Sequence, residues 1–319
     1  MELEEQKVLQ LESTLGSLLP KLKGTNKDTL TVKEVLSHYG RLKSWIPFYV
    51  NTLDSISKKP SADYYRNKWS KKFPIEVAKD LYLTKNYKDS IFERIATAEQ
   101  RESPGYKYSD LSFFLFKEFI ENYYKKNLDE LTQEHFYKTI GANNTGYLPL
   151  HKFPKTKIIP TEKDDYYRNQ VVHGYVHDMG AAMQGGIGGH AGVFSNANDV
   201  AKFMQLYLQK GFYGGKRYFK SETIDKFNHR YYSNEEVRKG VGFDKPQINE
   251  DEKATCGCVS DSSFGHSGFT GTFTWADPET EIVYVFLSNR VYPTMDNKGL
   301  VKGNIRTEIQ QLIQDAIME

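Results

Sequence analysis

The chain has 319 residues, with 43 Lys and Arg against 41 Asp and Glu, which leaves a formal charge of +2. So even a balance lacks the clustered basic excess of a nucleic-acid protein, and 39% hydrophobic with 14% aromatic residues is too rich for a disordered chain. A mean hydropathy of −0.63, with no apolar run near the ~18 residues of a membrane span, fits a globular chain able to bury an ordinary core.

In chain order, MELEEQKVLQLE at the start is charged throughout and holds no apolar signal-peptide segment. Thr31 to Tyr39 predicts a helix with a capping box, Thr31 at the N-cap and Glu34 three residues on, stopped at Gly40. Residues 51–75 are rich in Lys and Ser and read as an exposed excursion. After the Ser103-Pro104-Gly105 turn, Asp110 is expected to cap a helix over 111–126, whose positions 111, 114, 115 and 118/119 form one apolar face. Residues 141–192 read as irregular, and 198–210 as an amphipathic helix ended by Gly211.

The C-terminal part changes character. Residues 272–275 and 281–287 are β-rich and joined by Asp277-Pro278-Glu279-Thr280, a hairpin, with a third strand expected at 264–268. A closing helix over 303–318 is expected to bury Ile305, Ile309, Leu312, Ile313 and Ala316. Helices first, antiparallel strands late and a terminal helix predict an α+β domain.

Several local patterns offer chemistry that their context denies. Gly186 to Ala191 matches G-x-G-x-x-A, but no strand precedes it, so a loop of closely passing backbones is the better reading. Gly265-His266-Ser267-Gly268 lacks the final glycine of a nucleophile elbow, Phe269 standing there. His173 and His177 are four apart without the Glu of H-E-x-x-H, and with His190 and Asp178 they are read as structural groups holding the glycine-rich loop. Cys256 and Cys258 are too closely spaced for an easy mutual bridge and are expected as free thiols in a loop. A stronger constellation pairs Tyr108-Ser109-Asp110, at the mouth of a helix, with His266-Ser267-Gly268 on a strand.

These segments, in this order, resemble the serine β-lactamase and penicillin-binding-protein superfamily, in its class C-like and DD-peptidase-like branch. Leu30 to His38 resembles its ITVRHLLTH segment, and Pro104 to Leu111 its PG-x-x-x-YSNLG. Gly189 to Ser195 followed by Asp199 to Phe203 resembles GHAGLFST..DLAKF, and Phe264 to Gly271, Asp277-Pro278 and Phe286 to Arg290 resemble its closing strands. Modules appended to family 3 glycoside hydrolases of Bacteroidetes-type bacteria are the most similar in these motifs.

The resemblance implies one β-lactamase-like domain over 1–319, with a helical region at about 30–210 and a helix-flanked antiparallel sheet at about 240–319. It implies acyl transfer on a β-lactam, a D-Ala-D-Ala-type peptide or an ester, with no cofactor and no metal. Tyr108 would move the proton, His266 would stand for the lysine of K-T-G, and the Phe269 N–H would be an oxyanion donor. Ser109, Ser267 and Gly268 would line the substrate, and Asp110 stands where the family often has Asn. The S-x-x-K nucleophile motif finds one match, Ser55 to Lys58, in the Lys-rich excursion and after the wrong helix. The expectation is therefore a chain lacking its nucleophile helix and first strands, forming no acyl-enzyme alone and associating through a bared sheet edge. The missing part could bring a fused glycoside hydrolase domain, and family relatives are largely periplasmic. The alternative is a non-catalytic module binding peptidoglycan fragments or glycans. Fluorophosphonate labelling lost on Ser267→Ala would mark a third route, through Ser267.

Overall fold

The computed structural model describes residues 1–249 and 252–318. One-turn segments at the start send Leu3, Leu11, Leu15 and Leu22 into the main core. Helix α1 (Val32–Leu36) begins at the capping box read from the sequence: Thr31 Oγ1 accepts the Glu34 N–H, and the Glu34 carboxylate accepts the Thr31 N–H. Two amide donors that would otherwise be unpaired are thereby satisfied.

The next elements are α2 (Tyr87–Thr97), α3 (Leu111–Tyr124), α4 (Met179–Ala182), α5 (Ala197–Leu208), α6 (Ser221–Asn228) and α7 (Ile305–Met318). Helix α3 carries the core: Leu111, Phe114, Leu115 and Phe119 are buried on one face, and such side chains each contribute roughly 1.5–3 kcal/mol. Lys125, left-handed at φ +54°, ends it.

Four antiparallel sheets accompany the helices among the described residues, the smallest a pairing of Phe212–Tyr213 with Lys216–Arg217. Strands β1 (Tyr65–Arg66), β2 (Ile75–Ala78) and β3 (Leu81–Leu83) lie in the order β1-β3-β2, and β4 (Pro160–Asp164) pairs with β5 (Gln170–His173). The last sheet holds β6 (Phe264–Ser267), β7 (Phe273–Asp277) and β8 (Ile282–Phe286), with β7 in the middle. Its strands alternate, as a pleat requires. Phe264 and Ala276 meet Met204 of α5 on one face, while Phe273, Trp275 and Tyr284 meet Ile309 and Ile313 of α7 on the other.

Four expectations need correction. The stretch at 30–210 is not purely helical, since it holds β1 to β5. The 51–75 excursion exposes Ile56 and Trp69 but is pinned by buried Tyr65 and Phe73. Helix α7 buries Gln310 and Gln314, whereas Leu312 is 66% exposed and Ile305 and Ala316 also face solvent. Cys256 and Cys258 are bonded rather than free. Gly257 between them adopts φ +79°, which folds the chain so that the two Cα atoms stand 5.2 Å apart, inside the bridging range.

Candidate active site

Two backbone pairings between distant segments build the site. Residues 38–44 run beside 101–110: the Lys107 N–H donates to the His38 carbonyl and the Asp110 N–H to that of Ser44. Ser109 locks this register, its hydroxyl donating to the Lys43 carbonyl at 2.7 Å and accepting the Leu111 N–H. Its side chain is buried and spoken for, which places Ser109 in the scaffold beneath Tyr108. On the sheet side, Asp244 pairs with Gly265 in both directions and so brings the 238–244 segment against β6. A side chain at Gly265 has no room, because a Cβ there would stand 2.1 Å from the Thr274 carbonyl oxygen.

These pairings gather Tyr108, His266, His38 and Lys239. The Tyr108 ring lies 6.0 Å from that of His266, edge to face, and 4.2 Å from that of His38. Lys239 Nζ stands 5.6 Å over the Tyr108 ring and 2.9 Å from Asp244. The sequence pointed to Tyr108 and His266, and the structure brings them together. It did not point to His38 or Lys239. His38 closed the matching helix segment as its last residue, and the structure gives it a left-handed backbone (φ +57°) that nothing in the sequence announced. Lys239 lies in a segment with no motif.

Electrostatics keep the two imidazoles neutral beside Lys239 and Arg238, which share the Asp244 carboxylate. Burial, then the Lys239 charge, pulls His38 down to about 3 and holds His266 below the ordinary histidine range. Burial also lowers Lys239, with Asp244 opposing the shift. Burial, then the Asp110 charge, pushes the Tyr108 phenol well above its ordinary range, so it stays protonated at neutral pH. Tautomers follow from partners. His266 Nδ1 is 2.8 Å from the Ser267 carbonyl, which can only accept, so Nδ1 carries the proton and Nε2 a lone pair. His38 Nδ1 accepts the Ser109 N–H, so its proton is on Nε2.

Asp110 is at the N-terminal end of α3, yet it does not cap the helix as expected. Its backbone is already helical (φ −74°, ψ −20°), which turns the carboxylate away from the helix amides, and no cap hydrogen bond forms. Burial raises it to about 6; the His190 charge pulls it down and the Asp178 charge pushes it up. Asp178 and His190 form a pair at 2.6 Å (Oδ1 to Nε2), and His190 stacks on Phe114 at 4.4 Å. Burial opposes the Asp178 charge, but His190, the Ala181 N–H and His177 together hold the carboxyl below its usual range. Of the four groups expected to hold the glycine-rich loop, Asp178 and His190 tie it to α4, whereas His173 bonds the Ile158 carbonyl and His177 lies against Phe269; a Cβ on Gly189 in that loop would stand 2.4 Å from the Phe113 carbonyl oxygen. His173 is on β5 and His177 lies beyond it, so the two share no helix.

The turn after β6 carries the remaining candidates. Gly268 donates to the Thr272 carbonyl at 2.8 Å, while the Phe269 N–H has no acceptor among the described residues. The Phe269 ring is 61% exposed, flanked by Arg290 at 4.6 Å and His177 at 5.2 Å. Ser267 points from β6 to the face opposite His266 and is exposed. Ser55 to Lys58 form a surface turn in which Asp54 accepts the Ile56 and Ser57 amides.

Comparison with known proteins agrees with this architecture. A protein of Escherichia coli (strain K12) named "Putative D-alanyl-D-alanine carboxypeptidase" is 32% identical over 279 residues, covering 83% of this chain and 58% of the relative. A protein of the same name from Salmonella typhi is 31% identical over 263 residues, covering 78% of this chain and 58% of its own length. The chain thus spans 58% of the length of these curated relatives. Among solved structures, EstA from Arthrobacter nitroguajacolicus Rue61a superposes with a TM-score of 0.60 at 15% identity, over 99% of this chain and 80% of that one. A penicillin-binding protein homologue from Caulobacter crescentus gives 0.56 at 14% identity, over 90% and 72%. At such identities the superpositions speak for the fold alone. A family model described as Beta-lactamase matches residues 1–302, nearly the whole chain and every segment that builds the pocket, and the chain therefore belongs to the β-lactamase family.

Proposed function

We propose that this chain provides the proton-relay and oxyanion side of an acyl-transfer cleft for peptides ending in D-Ala-D-Ala or a similar acyl-D-amino acid. The observation that carries the reading is the Tyr108–His266 approach of 6.0 Å beside buried Lys239. A phenol held protonated on the wall of the pocket is placed to donate to a leaving group, the role acyl transfer requires of an acid there. The Phe269 N–H is the candidate oxyanion donor. His266, held neutral, orients substrate by hydrogen bonding, and the positive field belongs to Lys239.

The attacking serine is not among the residues gathered here. Ser109 is committed to backbone groups, Ser267 faces away from Tyr108 and Ser55 lies in a surface turn. In this reading the serine and lysine of S-x-x-K come from outside residues 1–319, and this chain binds the acyl donor without forming an acyl-enzyme. Those same placements also favour a second reading, a module that only binds peptidoglycan fragments.

The test pairs equilibrium binding with intact-mass analysis. Residues 1–319 are titrated with diacetyl-L-Lys-D-Ala-D-Ala and separately incubated with a fluorescent penicillin. Saturable peptide binding, lost on His266→Ala, with no covalent mass gain is the expected result. A covalent adduct on Ser55 or Ser267 would overturn the assignment of roles, and no binding would overturn the reading. Nitrocefin or ester turnover by a longer chain carrying S-x-x-K separates the catalytic reading from the binding-only one.

A further inference from the structure

We propose that the 51–75 excursion is a docking surface for an anionic lipid bilayer, with Trp69 seated among the headgroups and the basic side chains around it on the lipid phosphates. The inference stands apart from the cleft and uses a segment that the cleft leaves idle. Residues 51–75 carry six basic side chains against two acidic ones, a charge of +4, so the rest of the chain together carries −2. No acidic residue occurs from Tyr64 to Ile75, while Arg66, Lys68, Lys71 and Lys72 fall within seven positions. All four are exposed. Lys88 and Lys126 elsewhere on the surface meet carboxylates, but among the described residues none of these four does. The two acids of the excursion are occupied locally: Asp54 accepts the Ile56 and Ser57 amides, and Asp63 accepts the Ser61 hydroxyl.

The fold turns this charge outward on two anchored tips. Leu53 pairs with Pro60 across the first, which carries Ile56, 91% exposed; Ser70 and Phe73 close the second, which carries Trp69, 61% exposed. Behind them Tyr65 is buried, its hydroxyl bonded to those of Thr52 at 2.7 Å and Tyr167 at 3.0 Å, and Phe73 is buried beneath the Arg66 guanidinium at 4.4 Å. Tips held on the core in this way lose little freedom on binding. Trp45 and Trp275 have ring partners in Tyr49 and Phe273, whereas Trp69 stacks on no ring among the described residues. An indole is apolar over its body and polar at its N–H, which suits the boundary between acyl chains and water. A protruding cationic tip with an apolar end fits a soft anionic surface, whereas a single-stranded polyanion is tracked along a groove.

The experiment floats residues 1–319 with large vesicles of phosphatidylcholine, alone or with phosphatidylglycerol. Binding to the anionic vesicles and not to the neutral ones is expected, and it should weaken steeply between about 0.1 M and about 0.5 M NaCl as the charges are screened. A basic side chain near such a surface is worth about fivefold in affinity, so Lys68→Gln with Lys71→Gln should weaken binding about twenty-five-fold. Trp69→Ala removes the apolar area that the indole would bury and should weaken it about tenfold. The control pair Lys216→Gln with Lys302→Gln removes the same charge from exposed sites outside the excursion and should change binding less than about twofold. No binding to anionic vesicles overturns the inference, and so does an equal loss in the control pair, which would make the attraction diffuse. Full affinity retained by Trp69→Ala overturns it as well. Inorganic polyphosphate bound more tightly than the vesicles would give the surface to a soluble polyanion and overturn the assignment to lipid.

Discussion

Arg168 offers the sharpest test of how the fold supports the site. Its guanidinium is fully buried and makes four hydrogen bonds. Nε donates to Asp164 Oδ2 at 2.6 Å, Nη1 to the Val176 carbonyl at 2.6 Å, and Nη2 to Glu162 Oε1 at 2.8 Å and the His177 carbonyl at 2.9 Å. It thereby ties the β4–β5 hairpin to the segment whose His177 ring backs Phe269. Arg168→Met keeps much of the apolar stem and deletes the charge, leaving two carboxylates buried without their cation. Breaking such a pair costs about 3–5 kcal/mol. Here the lower end applies, since Asp164 still accepts two backbone amides and Glu162 still accepts the Tyr166 hydroxyl. Urea unfolding at pH 7 should show about 3 kcal/mol lost. Adding Glu162→Gln and Asp164→Asn to Arg168→Met should restore part of it, because neutral amides can stay buried with the partners that remain. A loss below about 1 kcal/mol, or a triple variant no more stable than the single one, would refute the argument that the hairpin is held by charge pairing.

Other perturbations follow from groups whose charge the fold penalises. The Asp110 carboxyl titrates near 6 when folded, so the native state holds the extra proton between about 4 and 6 and stability falls as pH rises through that window. Asp110→Asn should therefore be more stable by about 1–2 kcal/mol at pH 7.5, after discounting for partial exposure, and show no gain at pH 3.5. Burial lowers the Lys245 ammonium to about 7, so the unfolded chain binds more protons between there and the ordinary lysine range, and stability climbs with pH across it. Lys245→Met should gain about 1–3 kcal/mol at pH 7, with the gain fading by pH 10; equal midpoints at both pH values would count against the assignment. Gly189→Ala drives a Cβ to 2.4 Å from the Phe113 carbonyl oxygen in the first turn of α3, which must shift. We expect it to lower stability by about 1–3 kcal/mol and weaken peptide binding, read by thermal unfolding and calorimetry.

What was legible in the sequence was legible for local reasons. The capping box at Thr31 and Glu34, the apolar face of α3 and the hairpin turn at Asp277 to Thr280 are each set by residues a few positions apart. The β4–β5 hairpin hid because its inward positions are charged: Glu162 and Asp164 are buried, and only their meeting with Arg168 makes that tolerable. A strand whose core-facing side chains are carboxylates reads as a loop under any rule based on hydrophobic alternation. Helix α7 misled in the opposite sense. Gln310 can be buried because its side-chain Oε1 accepts the Cys256 N–H, so a polar residue faces that loop while Leu312 faces solvent. The bridge between Cys256 and Cys258 was hidden for a related reason, since it depends on the left-handed turn at Gly257.

The site divides along the same line. Tyr108 and His266 were visible because each sits in a short motif tied to one element. Their partners were not, because His38 and Lys239 arrive through pairings across long separations, His38 with Lys107 and Asp244 with Gly265. That omission changes the chemistry, and not only the roll of residues. A histidine where the family has lysine leaves the charge at neutral pH open when the motif is read alone. The structure closes it: burial disfavours charge on either imidazole first, and the neighbouring Lys239 cation adds repulsion. If His266 stands where the resemblance puts a lysine, the positive charge lies not on the strand but on the Lys239 segment, held at the strand's edge by Asp244. Removing the positive charge of Lys239 should therefore raise the His266 titration, read by NMR of its ring protons against pH, while burial still holds it below the ordinary histidine range; an unmoved His266 titration would refute the coupling.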